Sequence, residues 1–155
     1  MNVFNSDSMT HKLYLAGPFF TAEQLLTAEY VENSCNAAGV DAFSPRLKCC
    51  CPPDASMAQR KASFDMNTEA IKQCDLVLAC IDDFDAGTMW EMGFAFALKK
   101  PVYAYTLVPG RGLNLMLAQS CAGFINGTIQ LTKFLSHGGM VDFTEATKTH
   151  GGEII

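Results

Sequence analysis

The sequence predicts an α/β fold: one domain, with a five-stranded parallel sheet between flanking helices. Three observations predict it. Short apolar runs such as Leu13-Tyr14-Leu15 and Leu76-Val77-Leu78-Ala79-Cys80-Ile81 alternate with longer helical segments, the pattern of strands feeding crossover helices. The connections are short, and strand–helix–strand order favours parallel pairing through right-handed crossovers. The chain has 155 residues, 49% hydrophobic and 17% charged, enough apolar material for a proper core and unlike a disordered segment.

Each element follows from local chemistry. Residues 12–16 form a short strand that runs into Gly17-Pro18. Thr21 and Gln24 are spaced as a capping box for a helix through Ala38, closed by Gly39. Residues 40–43 are a second strand ended by Pro45, and 46–57 carry Cys, Pro and Ser without periodicity, as a surface loop does. A helix over 57–73 follows, with Phe64, Ile71 and several alanines as inner positions. The third strand covers 75–81 and the acidic turn 82–87. An apolar helix then runs to Lys99-Lys100-Pro101, before a fourth strand at 102–107. Beyond the Pro109–Gly112 loop lie a short helix (113–119), a fifth strand (123–125) and a last helix (128–135). Five strands suggest a flavodoxin-like (Rossmann-like) sandwich. The domain spans 1–155, with loosely ordered tails at about 1–11 and 138–155.

Composition narrows the function. A net charge of −5 disfavours polyanions, and without a basic stripe or stacked-aromatic RNA motif nucleic acid is not an expected partner. No apolar run approaches the roughly 20 residues that span a bilayer, and the N-terminus lacks the charged and apolar regions of a secretory signal. Seven cysteines, three adjacent at Cys49-Cys50-Cys51, do not make a spaced zinc pattern and suit reduced thiols in a cytoplasmic protein. No metal and no cofactor is expected, since neither a Walker loop nor a dinucleotide glycine fingerprint is present. His11, His137 and His150 stand in no ligand or nucleophile–base spacing.

The chemistry concentrates in Asp85-Ala86-Gly87-Thr88-Met89-Trp90-Glu91-Met92-Gly93, a strand–turn–helix junction of the kind where α/β folds build small-molecule sites. An ionised Glu on an apolar helix is costly to bury without compensation. Thr88 and Glu91 are spaced as a capping box, so Glu91 reads equally as a cap and as a catalytic carboxylate. Gly87 permits a tight turn, Gly93 leaves the helix open to a close neighbour, and Asp85 adds a second acid. Asp82 and Asp83 read as solvated loop acids. Phe19 and Phe20 after the first strand can sandwich a flat ligand or simply pack. Asn114 after the fourth strand can meet a ligand, although Asn there is more often a helix cap. Asp65 and Asn67 lie on the helix beside the same edge. Two acids near a stacking pocket, without metal ligands, suit glycosidic cleavage, in which one carboxylate attacks the anomeric carbon and an acid protonates the leaving group.

Four pieces carry a family resemblance: Tyr14-Leu-Ala-Gly17-Pro-Phe-Phe20-Thr-Ala-Glu-Gln24, Ile71-Lys-Gln-Cys-Asp75-Leu-Val, Asp85-Ala-Gly-Thr-Met-Trp-Glu91-Met-Gly93-Phe-Ala95 and Leu113-Asn114-Leu-Met116. With them the chain resembles the nucleoside 2-deoxyribosyltransferases over residues 12–126. The resemblance implies that Glu91 is the nucleophile, that Asp85 assists protonation of the departing base, and that Asn114 positions nucleophile and sugar. It places Phe19 and Phe20 at the base and Gln24 toward the sugar, with Gly17, Gly87 and Met116 among the substrate-contacting positions. It implies a homo-oligomer, a dimer or multiple of dimers, in which the Asn114 region completes the neighbouring subunit's site. Many members carry Asp where this chain has Asn67, so Asp65 or Asn67 fills the second polar position near the base and sugar.

The implied reaction moves a 2-deoxyribosyl group between nucleobases in two retaining steps, through a covalent ester on Glu91, for salvage of 2′-deoxynucleosides. Two alternatives remain open from sequence. One is a 2′-deoxynucleoside 5′-monophosphate N-glycosidase with the same motif, although Gly17-Pro18-Phe19-Phe20 is bulky and neutral for a phosphate site. The other is a non-catalytic nucleoside- or base-binding module.

Overall fold

Five parallel strands, β1 (Lys12–Ala16), β2 (Asp41–Phe43), β3 (Leu76–Cys80), β4 (Val102–Thr106) and β5 (Gly123–Asn126), form one sheet in the order β2-β1-β3-β4-β5. This is the flavodoxin-like order expected, with its switch point between β1 and β3. The structure is a computed structural model, and it describes residues 11–139. The expected tails lie almost wholly outside those residues.

The helices are α1 (Ala22–Ala37), α2 (Pro45–Lys48), α3 (Met57–Gln73), α4 (Ala86–Ala97), α5 (Leu115–Ser120) and α6 (Gly127–Ser136). Side chains alternate across the sheet, so each strand feeds two cores. Leu13, Leu78, Tyr105 and Ile125 pack with Val31 and Cys35 of α1 and Leu131 and Phe134 of α6. Tyr14, Val77, Ala104 and Phe124 pack on the opposite face with Ile71 of α3 and Met92 and Ala95 of α4. All of β3 is buried, which explains its unbroken apolar run. Ala16, Ala79 and Ala104 stand side by side in register across β1, β3 and β4. This row of methyls is a low floor on which α4 sits, with Ala95 fully buried.

The capping box of α1 is present: the Gln24 amide donates to Thr21 Oγ1, and Gln24 Oε1 accepts from the Thr21 amide. Gly39, at φ +68°, ends that helix. Three expectations are corrected. The stretch read as loop over 46–57 contains α2, whose first residue is Pro45, the position where proline's fixed φ starts a helix. Phe64 is not an inner residue: it is 49% exposed, whereas Ile71 is fully buried. A helix of 17 residues, at about 1.5 Å per residue, outruns strands of 5 residues, at about 3.3 Å each. The first turns of α3 therefore pass beyond the sheet, where Phe64 meets Trp90 of α4, ring centroids 5.5 Å apart. Asp82 and Asp83 are not loose loop acids either. Asp82 accepts from the Leu107 amide at 3.1 Å and from the Thr106 hydroxyl, and Asp83 accepts from Gln24 Nε2 at 2.8 Å. These bonds tie the β3–α4 turn to β4 and to α1. All seven cysteines are free. Among the described residues, no helix is long and apolar enough to cross a membrane.

Candidate active site

The acidic turn between β3 and α4 begins the site. Phe84 adopts φ +48°, a left-handed conformation unusual for an aromatic residue, and turns the chain so that Asp85 becomes the N-cap of α4. Its carboxylate accepts from the Thr88 amide at 2.9 Å and from Thr88 Oγ1 at 3.1 Å. A Cβ on Gly87 would come within 3.1 Å of that carboxylate, so the glycine leaves room for the cap to fold back over the helix end. The expected Thr88–Glu91 capping box is therefore absent. Asp85, three residues before Thr88, supplies the acceptor and starts the helix earlier, which leaves Glu91 a full turn inside it and free of capping duty.

Glu91 instead faces the sheet. The Tyr14 hydroxyl donates to Glu91 Oε1 at 2.6 Å, and Phe43 of β2 stacks on the Tyr14 ring at 5.6 Å and 10°. Burial pushes the Glu91 carboxyl up to about 7; the Tyr14 hydrogen bond opposes this and the negative Asp85 reinforces it. Burial, with the adjacent Glu91 charge, likewise holds the Tyr14 phenol above its ordinary range, so Tyr14 stays a donor. The β2–α2 segment brings Cys49 to the same place. Its thiol, raised by burial and by Glu91, donates to Asn67 Oδ1 on α3.

Of the residues singled out from sequence, Glu91, Asp85, Gly87 and Asn67 gather on this α3–α4 face. Asp65 does not. Two residues along a helix is a rotation of about 200°, and Asp65 is exposed and paired with Lys61. Gly17 sits at the switch point, where a Cβ would come within 3.2 Å of Cys80 Cβ. Gly17, Phe19 and Gln24 line a cavity of about 120 Å³ on the opposite, α1 face, with Glu32, Ser44, Arg46 and Asp82. There Glu32 accepts from the Ser44 hydroxyl and the Arg46 guanidinium. Gln24 closes its capping box through Oε1 and donates from Nε2 to Asp83. The Phe19 and Phe20 rings lie 5.1 Å apart and tilted against each other, and Phe20 is 72% exposed, so they do not form a closed sandwich. Asn114 caps α5, its Oδ1 accepting from the Leu117 amide at 2.9 Å, and Met116 beside it is 75% exposed. Among the described residues, nothing outside its own helical turn lies within 4 Å of where a Cβ would stand on Gly93. Tyr14 and Cys49 were not singled out from sequence as site residues. The signal for Tyr14 is a tyrosine inside a buried strand, whose hydroxyl needs a polar partner.

Fold and site together define a flavodoxin-like α/β protein with a half-buried carboxylate at the end of the sheet beside its switch point, oriented by a phenol. The sequence profile of the nucleoside 2-deoxyribosyltransferase family matches residues 13–120, and the chain belongs to that family. Among solved structures, it is similar to a 2-deoxyribosyltransferase from the psychrotolerant bacterium Bacillus psychrosaccharolyticus, with TM-score 0.71 and 30% identity over 86% of this chain and 94% of that one. It shares its fold with a conserved protein from Enterococcus faecalis V583 (TM-score 0.70, 21% identity, 81% and 97% covered). The same holds for the CMP N-glycosidase BcmB of Clostridium botulinum (TM-score 0.54, 18% identity, 80% and 95% covered). Among curated protein sequences, none matches the chain.

Proposed function

We propose that the chain transfers 2-deoxyribose between nucleobases, with Glu91 as the nucleophile. The observation that carries this reading is the Tyr14–Glu91 pair. It is an acid freed from capping, half-buried, and held by one phenolic hydrogen bond that fixes which oxygen is left to react. In the first step the free Glu91 oxygen attacks C1′ of a 2′-deoxynucleoside. The C1′–N bond breaks with its electron pair leaving on the base, and Asp85, having taken a proton from solvent, passes it to that nitrogen. In the second step a nitrogen of another base attacks C1′, the ester C–O bond breaks to regenerate the carboxylate, and the surplus proton returns the same way. Two inversions give net retention. The carboxylate also stabilises the positive charge that builds on the sugar in each transition state.

Phe64, Trp90 and Phe94 form an exposed aromatic cluster on the α3–α4 side. Trp90 stacks on Phe94 at 5.1 Å and on Phe64, and all of Phe64, Trp90 and Met116 are about half exposed or more. Such an apolar face favours a second copy of the chain as its cover, bringing Asn114 and Met116 of one subunit toward the Glu91 of the other. The test is direct. A deoxynucleoside incubated with a different free base should yield the mixed nucleoside, and rapid quenching should trap a deoxyribosyl adduct on Glu91 in the intact mass. Release of free sugar alone at every base concentration would instead make water the second nucleophile and the protein a hydrolase.

A further inference from the structure

The Cys49–Asn67 pair is left unused by the reaction just described. Asn67 belongs to the inward stripe of α3 that continues through Ala70, Ile71 and Cys74, all buried against the Tyr14 face of the sheet. It lies about one turn N-terminal to Ala70 and Ile71, toward the end of α3 that in a parallel βαβ crossover lies beside the strands' carboxyl termini. Cys49 reaches it from the β2–α2 side, near enough to Glu91 to feel its charge.

We propose that Cys49 is a positioning residue for Asn67, and that its thiol fixes the polarity with which the site reads a nucleobase. This rests on the reading of the Glu91 pocket as a nucleoside site. A primary amide has one acceptor and one two-proton donor, and nothing in its shape decides which end faces a ligand. Here the thiol donates to Oδ1, so the acceptor end is occupied. The amide nitrogen takes no protein acceptor among the described residues. Because burial and the neighbouring carboxylate disfavour the thiolate, the sulfur remains a donor at neutral pH and keeps the amide in this orientation. The donor end is then the one left for a ligand, and it matches a base edge that presents a carbonyl oxygen. An exocyclic amine at the same position would meet two N–H groups head on, a mismatch that leaves polar groups unpaired.

Isosteric base pairs test the idea. Affinities of hypoxanthine against adenine, and of uracil against cytosine, are measured by calorimetry on the wild type and on Cys49→Ser, Cys49→Ala and Asn67→Asp. Free bases do not turn over, so binding is read without catalysis. The wild type should favour the carbonyl member of at least one pair. Cys49→Ser, which keeps a donor, should preserve that ratio, Cys49→Ala should narrow it several-fold, and Asn67→Asp should reverse it. The proposal is overturned by equal affinities or no base binding in the wild type. It is equally overturned by an unchanged ratio in Cys49→Ala, by Cys49→Ser behaving like Cys49→Ala, or by a retained carbonyl preference in Asn67→Asp. Base exchange is assayed in parallel on the wild type. Its absence would refute the transferase reading, while the affinity ratios still decide the role of Cys49.

Discussion

Tyr14 of β1 and Glu91 of α4 stand 77 residues apart in the chain and are joined by one 2.6 Å hydrogen bond. The phenol is the donor and the carboxylate the acceptor, so the bond favours the charged form of Glu91 against the burial that disfavours it. Tyr14→Phe removes the hydrogen bond that lowers the Glu91 pKa. The acid limb of the exchange rate against pH should move upward, and kcat should fall by roughly 10- to 100-fold, the scale of a hydrogen bond to a charged group. An unchanged pH profile in this variant would remove Tyr14 from the mechanism.

Stability should carry the same signature. Glu91 is raised from 4.5 in the unfolded chain to about 7 in the fold. A carboxyl raised on folding binds its proton more tightly when folded, so its contribution is complete below 4.5 and is lost as pH climbs through 7. Glu91→Gln abolishes that dependence. At pH 8 the variant should be the more stable protein, by on the order of 3 kcal/mol at most, while losing exchange by several orders of magnitude. Urea unfolding of both proteins from pH 4.5 to 8 checks the first half, and parallel curves would refute the assignment of Glu91 as the titrating group.

Asp85 serves two roles that substitution separates. Asp85→Ala removes the cap on Thr88 and should cost about 1 kcal/mol, whereas Asp85→Asn keeps a capping oxygen and should cost little. Both remove a negative charge that raises Glu91, so in both the Glu91 titration moves downward. If the carboxyl also hands a proton to the departing base, Asp85→Asn should be as stable as the wild type yet impaired in exchange, most of all with poor leaving bases. Full activity in Asp85→Asn would leave Asp85 as a cap alone.

On the far face of the sheet, Arg46 pairs with Glu32, with side chains only 21% and 8% exposed. Burial pushes the Glu32 carboxyl up, but hydrogen bonds from Arg46 and Ser44 outweigh it and hold it below its ordinary value. The stabilisation is therefore present at neutral pH and lost on acidification. Glu32→Ala leaves Arg46 with only Glu29, at 3.6 Å, and the Ser44 hydroxyl without its acceptor, and should cost about 1–3 kcal/mol, whereas Lys61→Ala, at an exposed pair, should cost about 1 kcal/mol or less. Thermal or urea melts at neutral pH separate the two.

The apolar face predicts assembly. Trp90→Lys places a charge in the exposed Phe64–Trp90–Phe94 cluster without touching the core. Light scattering should show a smaller particle than the wild type, with exchange lost in proportion. A wild type that is already monomeric and active would exclude the shared site.

Much of this was legible in the sequence, because parallel strands buried on both faces leave continuous apolar runs and their ends mark where a site is built. The capping box at Thr21 and Gln24 and the helix cap at Asn114 follow from local rules that the tertiary structure does not override. The chain belongs to the family its motifs resemble. What local rules missed depended on competition or on angle. Asp85 outcompeted Thr88 for the start of α4, which no spacing of Thr88 and Glu91 alone reveals. Asp65 and Asn67 look equivalent in a motif but point to different sides of α3. The partnership of Cys49 with Asn67 joins a loop to a helix and has no signature in either.

The row formed by Ala16, Ala79 and Ala104 has a consequence for how activity can be tuned. Three methyl groups of the sheet set how closely α4 rests on β1, and so the span over which the phenol must reach the carboxylate. A single added methylene in that row would lift the helix like a shim and lengthen the bond between two groups elsewhere. The rate of the reaction is in this sense adjustable from the floor of the protein.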